Sequence, residues 1–425
     1  MAGTPGRVVV VGQGYVGLPL AMRAVEVGHD VVGFDVDRSR TGELALGRSY
    51  VEDISGEQLS RALATGRYRP TADPEQMAGF SVAVITVPTP LREGGPDLSY
   101  VVAAGRAVAP HLTRGALVVL ESTSYPGTTE TTLGPLLEDG SGLRAGVDFH
   151  LGFSPERIDP GNTEFGFEAI PKVVSGVDAA SLAAVDAFYA TLVCKTVPVA
   201  RPREAELAKL IENTFRHVNI ALVNELAVFA NEAGLDIWEA LDAAASKPFG
   251  FMRFNPGPGV GGHCLPIDPS YLSWHMRASV GRSFRCVELA NDINEHMPEY
   301  VVNRAAMLLN QARLPVNGSR VLLLGLAYKP NSADMRESPS LHVARRLADL
   351  GAQVRYVDGF VPADRVASLD ARLLPASASH GELAASDLVV VLTDHDDVDY
   401  QLVAAQAPRV LDTRHRCRGA NVEHL

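Results

Sequence analysis

The segment Gly257-Pro-Gly-Val-Gly-Gly-His263-Cys264-Leu-Pro-Ile-Asp268-Pro concentrates more reactive chemistry than any other stretch of the chain. A lone cysteine is most often an inert core side chain. Cys264 differs because Gly261 and Gly262 precede it, and their missing side chains let a ligand come close to the backbone. His263, or a cation brought near by the fold, would favour the nucleophilic thiolate. Cys286, set among Phe284, Val287 and Leu289, reads as core, and Cys194 and Cys417 have no reactive context. Lys209 and Asn213 lie four apart, with Arg216 and Asn224 further along, so a helix would place them on one face. A solvated polar stripe has that same spacing. Ser154-Pro-Glu156-Arg157 and Glu121-Ser122-Thr123 each follow an apolar run. The C-terminal ends of strands in α/β sheets are where ligands sit, so both fit the rim of a pocket.

Gly12-Gln-Gly14-Tyr15-Val16-Gly17 stands directly after one apolar run and before a helical pattern. Glycines at this spacing allow a tight turn and bring backbone N–H groups to a pyrophosphate at a helix N-terminus. Asp35 closes the next apolar run, where a carboxylate accepts ribose hydroxyls and repels a 2′-phosphate. NAD is therefore expected over NADP, with Arg40 nearby tempering the preference.

The elements that must position these groups repeat one theme. Arg7-Val-Val-Val-Val-Gly12 and Asp30-Val-Val-Gly-Phe-Asp35 return as Arg320-Val-Leu-Leu-Leu-Gly325 and Gln353-Val-Arg-Tyr-Val-Asp358. Continuous apolar runs alternating with helical patterns imply parallel strands buried on both faces; further strands are expected at 81–86, 116–121 and 387–393. From 202 to 234 no breaker interrupts a helical pattern, and Leu207, Ile211, Phe215, Val218, Leu222, Leu226 and Phe229 form its apolar face. Such a helix spans roughly 45 Å, enough to link two domains and to pack against a second subunit. The expected fold is α/β: two doubly wound Rossmann-like domains joined by a long central helix and a helical middle domain. The expected boundaries are 1–200 for cofactor binding, 201–300 for the helical part with the cysteine loop, and 301–425 for the second α/β domain.

Composition narrows the function. The 425 residues are 46% hydrophobic and 21% charged with a formal net charge of −12, which argues against a nucleic-acid binder. No run approaches the length of a membrane span, the four cysteines lack metal-type spacing, and no metal is expected. A reducing cytoplasm is the simple reading.

With these residues in place the chain resembles the nucleotide-sugar 6-dehydrogenase family, which includes UDP-glucose and UDP-N-acetylhexosamine 6-dehydrogenases. The resemblance covers essentially the whole chain. It rests on Gly12-Gln-Gly-Tyr-Val-Gly17, Val87-Pro-Thr-Pro90, Glu121-Ser-Thr-Ser-Tyr-Pro-Gly127, Ser154-Pro-Glu-Arg157, Lys209-Leu-Ile-Glu-Asn213, Gly261-Gly-His-Cys264 and Lys329-Pro-Asn-Ser-Ala-Asp-Met-Arg336. It implies a four-electron oxidation using two NAD per sugar, with Cys264 carrying a thiohemiacetal and then a thioester. Lys209, Asn213 and Asp268 match residues that hold a water and stabilise an oxyanion, and Glu156 and Thr123 match those handling the hydrolytic water. Gly12, Gly14, Tyr15, Val16, Gly17, Asp35, Arg40, Thr89, Thr123 and Arg336 fall on cofactor positions. Glu156, Arg157, Lys209, Asn213, Phe254, Asn255, Gly257 and Gly261 fall on substrate positions. So do Lys329, on the pyrophosphate, Tyr328 beside it, and Arg414, on the nucleoside. The apolar face of the long helix makes a homodimer through that helix the expected assembly.

Two departures bear on the sugar. UDP-glucose enzymes place a glutamate where this chain has Pro160, and an arginine where it has Pro248. Both resemble the branch acting on UDP-N-acetylglucosamine or its mannosamine and galactosamine relatives, as do Ser246-Lys-Pro-Phe-Gly-Phe-Met252 and Cys264-Leu-Pro-Ile-Asp268. Arg253 is unusual there, so UDP-glucose and dTDP-glucose remain alternatives. A two-electron hydroxy-acid dehydrogenase would need neither the cysteine loop nor a second α/β domain. A silent nucleotide-binding protein would be expected to lack Cys264, Lys209 or Asp268, and all three are present. Replacing Cys264 by alanine is expected to leave the fold intact and abolish uronate formation, read by product analysis after incubation with NAD and nucleotide sugar.

Overall fold

The computed structural model describes residues 6–92, 94–158, 166–262 and 265–425. His263, Cys264 and Pro160 lie outside the described residues. The chain divides into two compact units, Met1–Glu212 with Trp274–Arg282, and Asn213–Ser273 with Ser283–Leu425.

The first unit contains β1 (Arg7–Val11), β2 (Asp30–Phe34), β3 (Tyr68–Thr71), β4 (Val82–Ile85) and a short hairpin of β5 (Leu91–Arg92) and β6 (Gly95–Pro96). It continues with β7 (Leu117–Leu120), β8 (His150–Phe153), β9 (Lys172–Gly176) and β10 (Thr196–Val199). Eight of these form one sheet in the order β10-β9-β8-β7-β4-β1-β2-β3. Every pairing from β3 to β8 is parallel, and β9 joins β8 antiparallel. The strand order reverses between β1 and β4, which flank each other with Val8 opposite Val82. Successive strand side chains point to opposite faces. Val8 and Val10 accordingly enter one core with Leu18, Leu20 and Met22, while Val9 and Val11 enter another with Val101 and Val108. That double burial is why β1 is apolar at every position and not at alternate ones.

The second unit repeats the arrangement. Its strands are β11 (Arg320–Leu324), β12 (Gln353–Val357), β13 (Leu374–Pro375), β14 (Leu388–Val391), β15 (Val410–Asp412) and β16 (Val422–His424). They form an all-parallel sheet in the order β13-β12-β11-β14-β15-β16. Val321 and Leu323 pack under Met297, Val301 and Leu308 of the helix Arg285–Gln311, and Leu322 and Leu324 pack on the other face with Val403. Both doubly wound sheets thus follow from the repeated sequence pattern.

One expectation about apolar residues needs correction. Cys286 is exposed, not core, because the helix Arg285–Gln311 turns Val287 and Ala290 inward and leaves Cys286 and Leu289 on its outer side. In the long helix Pro202–Glu232, Val223, Ala227 and Ala230 turn inward and join Ile237, Trp238 and Leu241. The apolar stripe of Ile211, Phe215, Leu222, Leu226 and Phe229 stays 41% to 60% exposed on this single chain. No helix among the described residues is long and apolar enough to cross a membrane.

Leu323 is fully buried on the central strand of the second sheet. Leu323→Ala is expected to cost about 2–5 kcal/mol of stability through lost burial and a residual cavity, read as a lower thermal midpoint.

Candidate active site

At the reversal point of the first sheet, each glycine of the Gly12–Gly17 turn has its own physical cause. Gly12 holds φ +94°, and a Cβ there would sit 2.8 Å from the Thr86 carbonyl oxygen. A Cβ on Gly17 would sit 1.8 Å from the Gly12 oxygen, so only glycine lets the helix Gly17–Glu26 start this close to the strand. Nothing lies within 4 Å of the place a Gly14 Cβ would take, so the turn is open there. The Thr86 hydroxyl donates to the Gly12 carbonyl at 2.9 Å and pins the turn to β4. Asp35, buried at the end of β2, accepts the Gln13 N–H on Oδ2 and the Asp37 N–H on Oδ1, both at 2.9 Å. Arg40 Nη1 stands 3.8 Å from Asp35, and the Tyr50 hydroxyl donates to the Gln13 carbonyl at 2.5 Å. Burial, with Asp35 adding to it, pushes the Tyr50 hydroxyl well above its usual range, so it remains a donor. Tyr15 packs at the edge of the core beneath, and Thr89 is buried after β4. An open Gly14, N–H groups at a helix start and a fixed carboxylate are the parts a dinucleotide requires, and these residues fit NAD.

Along the same sheet, the ends of β7, β8 and β9 bring buried charges together. Glu121 follows β7, Glu156 comes three residues after β8, and Lys172 opens β9. Lys172 Nζ lies 2.9 Å from Glu156 Oε2 and 3.1 Å from Glu121 Oε1, and the Tyr189 hydroxyl donates to that same Oε1 at 2.5 Å. Glu156 Oε1 accepts the N–H groups of Arg157 and Ile158, each at 2.6 Å. Burial works to raise the Glu156 carboxyl, but the Lys172 charge and these hydrogen bonds outweigh it and hold it below the usual range. Glu121 goes the other way: burial pushes it up to about 7 against the pull of Lys172. Burial alone would lower Lys172, yet the two carboxylates keep it above its usual range. Arg157 pairs with Glu212 at 2.7 Å, Thr123 is half-buried beside Glu121, and Lys209 is half-buried on the long helix.

Sequence reading singled out Glu156 and the Glu121-Ser122-Thr123 segment but missed Lys172 and Tyr189. A lysine opening the strand Lys172–Gly176, just before Val173 and Val174, was the one available signal.

The second unit gathers another set. Asn213 Nδ2 donates to Asp268 Oδ2 at 2.5 Å, and Asp268 is buried. The glycine-rich loop lies against the second Rossmann-like half. A Cβ on Gly261 would sit 2.6 Å from Tyr328 Cβ, one on Gly262 would sit 2.9 Å from the Tyr328 ring, and one on Gly257 would sit 2.7 Å from Arg414 Nη1. The Gly262 N–H donates to the Arg336 carbonyl at 2.9 Å, while the Arg336 guanidinium pairs with Asp334. Arg414 is anchored by Nε donation to the Leu392 carbonyl at 2.7 Å. Phe254 packs on Phe215, and Asn255 Oδ1 accepts from Arg253, which also pairs with Asp242. Lys329 follows Tyr328 in the loop after β11. The structure thus brings Gly257, Gly261, Tyr328, Arg336 and Arg414 together, and separately joins Asn213 to Asp268.

Two doubly wound sheets, a dinucleotide turn in the first and a glycine loop against the second, define an NAD-dependent dehydrogenase that also binds a nucleotide. The comparisons make the class specific. Three models of the UDP-glucose/GDP-mannose dehydrogenase family match in chain order: the NAD binding domain over residues 6–193, the central domain over 203–296 and the UDP binding domain over 322–418. The chain belongs to this family and is an NAD-dependent nucleotide-sugar dehydrogenase. It is 40% identical over 362 residues to a UDP-N-acetyl-D-glucosamine 6-dehydrogenase of Pseudomonas aeruginosa, covering 84% of each chain. It is 35% identical over 396 residues to a UDP-N-acetyl-D-mannosamine dehydrogenase of Pyrococcus horikoshii, covering 92% of this chain and 90% of that one. Among solved structures, one of a UDP-D-ManNAc dehydrogenase from Pyrococcus horikoshii matches with TM-score 0.88 at 32% identity over 98% of both chains. A UDP-glucose dehydrogenase from Pyrobaculum islandicum also matches with TM-score 0.88, at 30% identity over 99% of this chain and 97% of that one.

The Asp35 carboxylate sets an expectation for the cofactor. The wild type should use NAD over NADP by at least ~10-fold in kcat/KM, roughly 1.4 kcal/mol, and Asp35→Ala should narrow that ratio. Initial rates with each cofactor at saturating sugar decide it; equal use by the wild type would show Arg40 outweighing Asp35.

Proposed function

We propose that the chain oxidises the C6 hydroxyl of a UDP-N-acetylhexosamine to the carboxylate in four electrons through Cys264. The observation that carries this reading is the Asn213–Asp268 pair: a buried carboxylate, four residues after Cys264, held by an amide at 2.5 Å. NAD, when bound, accepts one hydride in each of two oxidations. Between them Cys264 adds its sulfur to the aldehyde carbon as a thiohemiacetal, and the second oxidation leaves a thioester. Glu156 then takes a proton from water as it attacks that thioester, and the bond to sulfur breaks to release the carboxylate and the thiol. Lys209 and Asn213, a cation and an amide donor, stabilise the oxygen as charge develops, an effect of about 10²–10³ in rate. Asp268 and Thr123 orient the water. Tyr328, Lys329 and Arg414 hold the nucleotide diphosphate, and Arg336 completes the cofactor site.

The exposed stripe of Phe215, Leu222, Leu226 and Phe229 supports a homodimer through the long helix, since water is a costly neighbour for so much contiguous apolar surface. The thiols of Cys194, Cys286 and Cys417 are unpaired, which fits a reducing cytoplasm.

The sugar preference follows from Pro160 and Pro248, which remove a carboxylate and a guanidinium present in the glucose enzymes. Arg253 is engaged by Asp242 and Asn255 and does not restore that guanidinium. A pocket shaped for an acetamido group leaves a recess and a polar partner unfilled by a 2-hydroxyl, costing about 1–3 kcal/mol. The test is kcat/KM for UDP-N-acetylglucosamine, UDP-N-acetylmannosamine, UDP-glucose and dTDP-glucose in parallel. An acetamido sugar should lead; a glucose nucleotide ahead by more than ~10-fold would overturn the preference.

A further inference from the structure

The buried cluster at the ends of β7, β8 and β9 contains more charge than the proposed hydrolysis uses. Glu121, Glu156 and Lys172 are all buried, and with both carboxylates ionised the group would be net negative where water solvates it poorly. The hydrogen bonds show how the imbalance is arranged. Both oxygens of Glu156 are engaged by donors: Oε2 by Lys172, and Oε1 by two backbone N–H groups. Glu121 is lopsided. Its Oε1 takes Lys172 and the Tyr189 hydroxyl, whereas its buried Oε2 has no hydrogen-bond partner among the described residues. An ionised oxygen left that way would be costly, and a protonated one is cheaper. Among the described residues, the titratable groups bonded within the cluster are Glu121 at the end of β7, Glu156 after β8, Lys172 on β9 and Tyr189 from the helix Ala179–Tyr189.

We propose that Lys172 is a positioning residue for the hydrolytic step, holding Glu156 ionised and aimed, and that Glu121 carries the compensating proton so that Lys172 and Glu156 form a neutral buried pair. This rests on the reading of Glu156 as the base that activates water. The ammonium makes no contact with the reacting atoms; it acts through the carboxylate. The pKa directions agree: Glu156 lies below the usual carboxylate range and Glu121 is raised to about 7, in each case after burial has been set against the charge of Lys172. Without Lys172, Glu156 would stay buried and lose its cation, so its carboxyl would rise and hydrolysis would lose its base as pH falls. Aromatic faces flank the ammonium, with the Phe167 and Tyr189 rings 5.6 and 5.4 Å from Nζ.

The experiment compares wild type, Lys172→Met, Lys172→Arg and Glu156→Gln between pH 5 and 9. Each receives saturating NAD and UDP-N-acetylglucosamine, or whichever UDP- or dTDP-sugar the parallel comparison selects. Lys172→Met should give an NADH burst followed by a slow steady state, with kcat down ~10²-fold or more at pH 6 and KM little changed. Its acid limb should move up by at least ~1 pH unit, and Lys172→Arg should bring much of it back. If Glu156→Gln turns over at the wild-type rate, the base assignment falls and this inference falls with it. If Glu156→Gln is slow but Lys172→Met keeps the wild-type acid limb, the inference alone is overturned. Should Lys172→Met not fold, pH-difference infrared spectroscopy of the wild type and Glu121→Gln decides the matter. A carboxylic-acid band titrating near neutral pH in the wild type and missing from Glu121→Gln supports the proposal; its absence from the wild type, or its persistence in the variant, overturns it.

Discussion

A carboxylate at the end of the second strand shapes each nucleotide-binding half, because it accepts the backbone N–H groups of the loop that follows the first strand. In the first half Asp35 takes Gln13 N–H and Asp37 N–H, and that bond fixes the glycine turn against the sheet. In the second half Asp358 accepts N–H from Leu326, Ala327, Phe360 and Val361, and the His395 Nε2–H besides. A threonine on the neighbouring strand's end completes each turn: Thr86 donates to the Gly12 carbonyl and Thr393 to the Ala327 carbonyl. The same backbone solution therefore yields two different sites. Asp35, with two N–H donors, has lone pairs left for a ligand hydroxyl. The Asp358 carboxylate is buried under five donors, so its lone pairs are taken up by the protein itself.

The polar groups around these turns weaken the core while they build the site. Glu121, Glu156, Lys172, Asp268 and the Asp358 carboxylate are all buried, and each is tolerable only because a partner meets it. Side chains held from two directions keep one geometry, so the chemistry does not wait for them to reorganise.

Much of this was legible before any coordinates. The runs at Arg7–Val11 and Arg320–Leu324 could be read as central strands because burial on both faces leaves no polar alternation. The glycine turn and Asp35 were legible because their spacing is local. The Lys172–Glu121–Glu156 cluster was not, because its members come from three strand ends and meet only when β7, β8 and β9 align. Nor could periodicity say what covers an apolar stripe: Leu222, Leu226 and Phe229 have helical spacing, yet the chain buries Val223, Ala227 and Ala230. Cys286 misled for the same reason, as apolar neighbours in sequence lie on different sides of a helix.

The first compact unit is also discontinuous in sequence. Its last piece, Trp274–Arg282, places Trp274 5.3 Å and His275 5.1 Å from the Tyr125 ring, and sets the Trp274 indole against Gly95 of the β5–β6 hairpin. A ribosome delivers residues in order, so the sheet can assemble early while this aromatic patch waits for some sixty further residues to emerge. Closing so long an intervening segment costs little entropy beyond that of a shorter one. During synthesis the nascent first half therefore carries an unfinished apolar edge, and a fragment ending at Glu212 would keep it permanently.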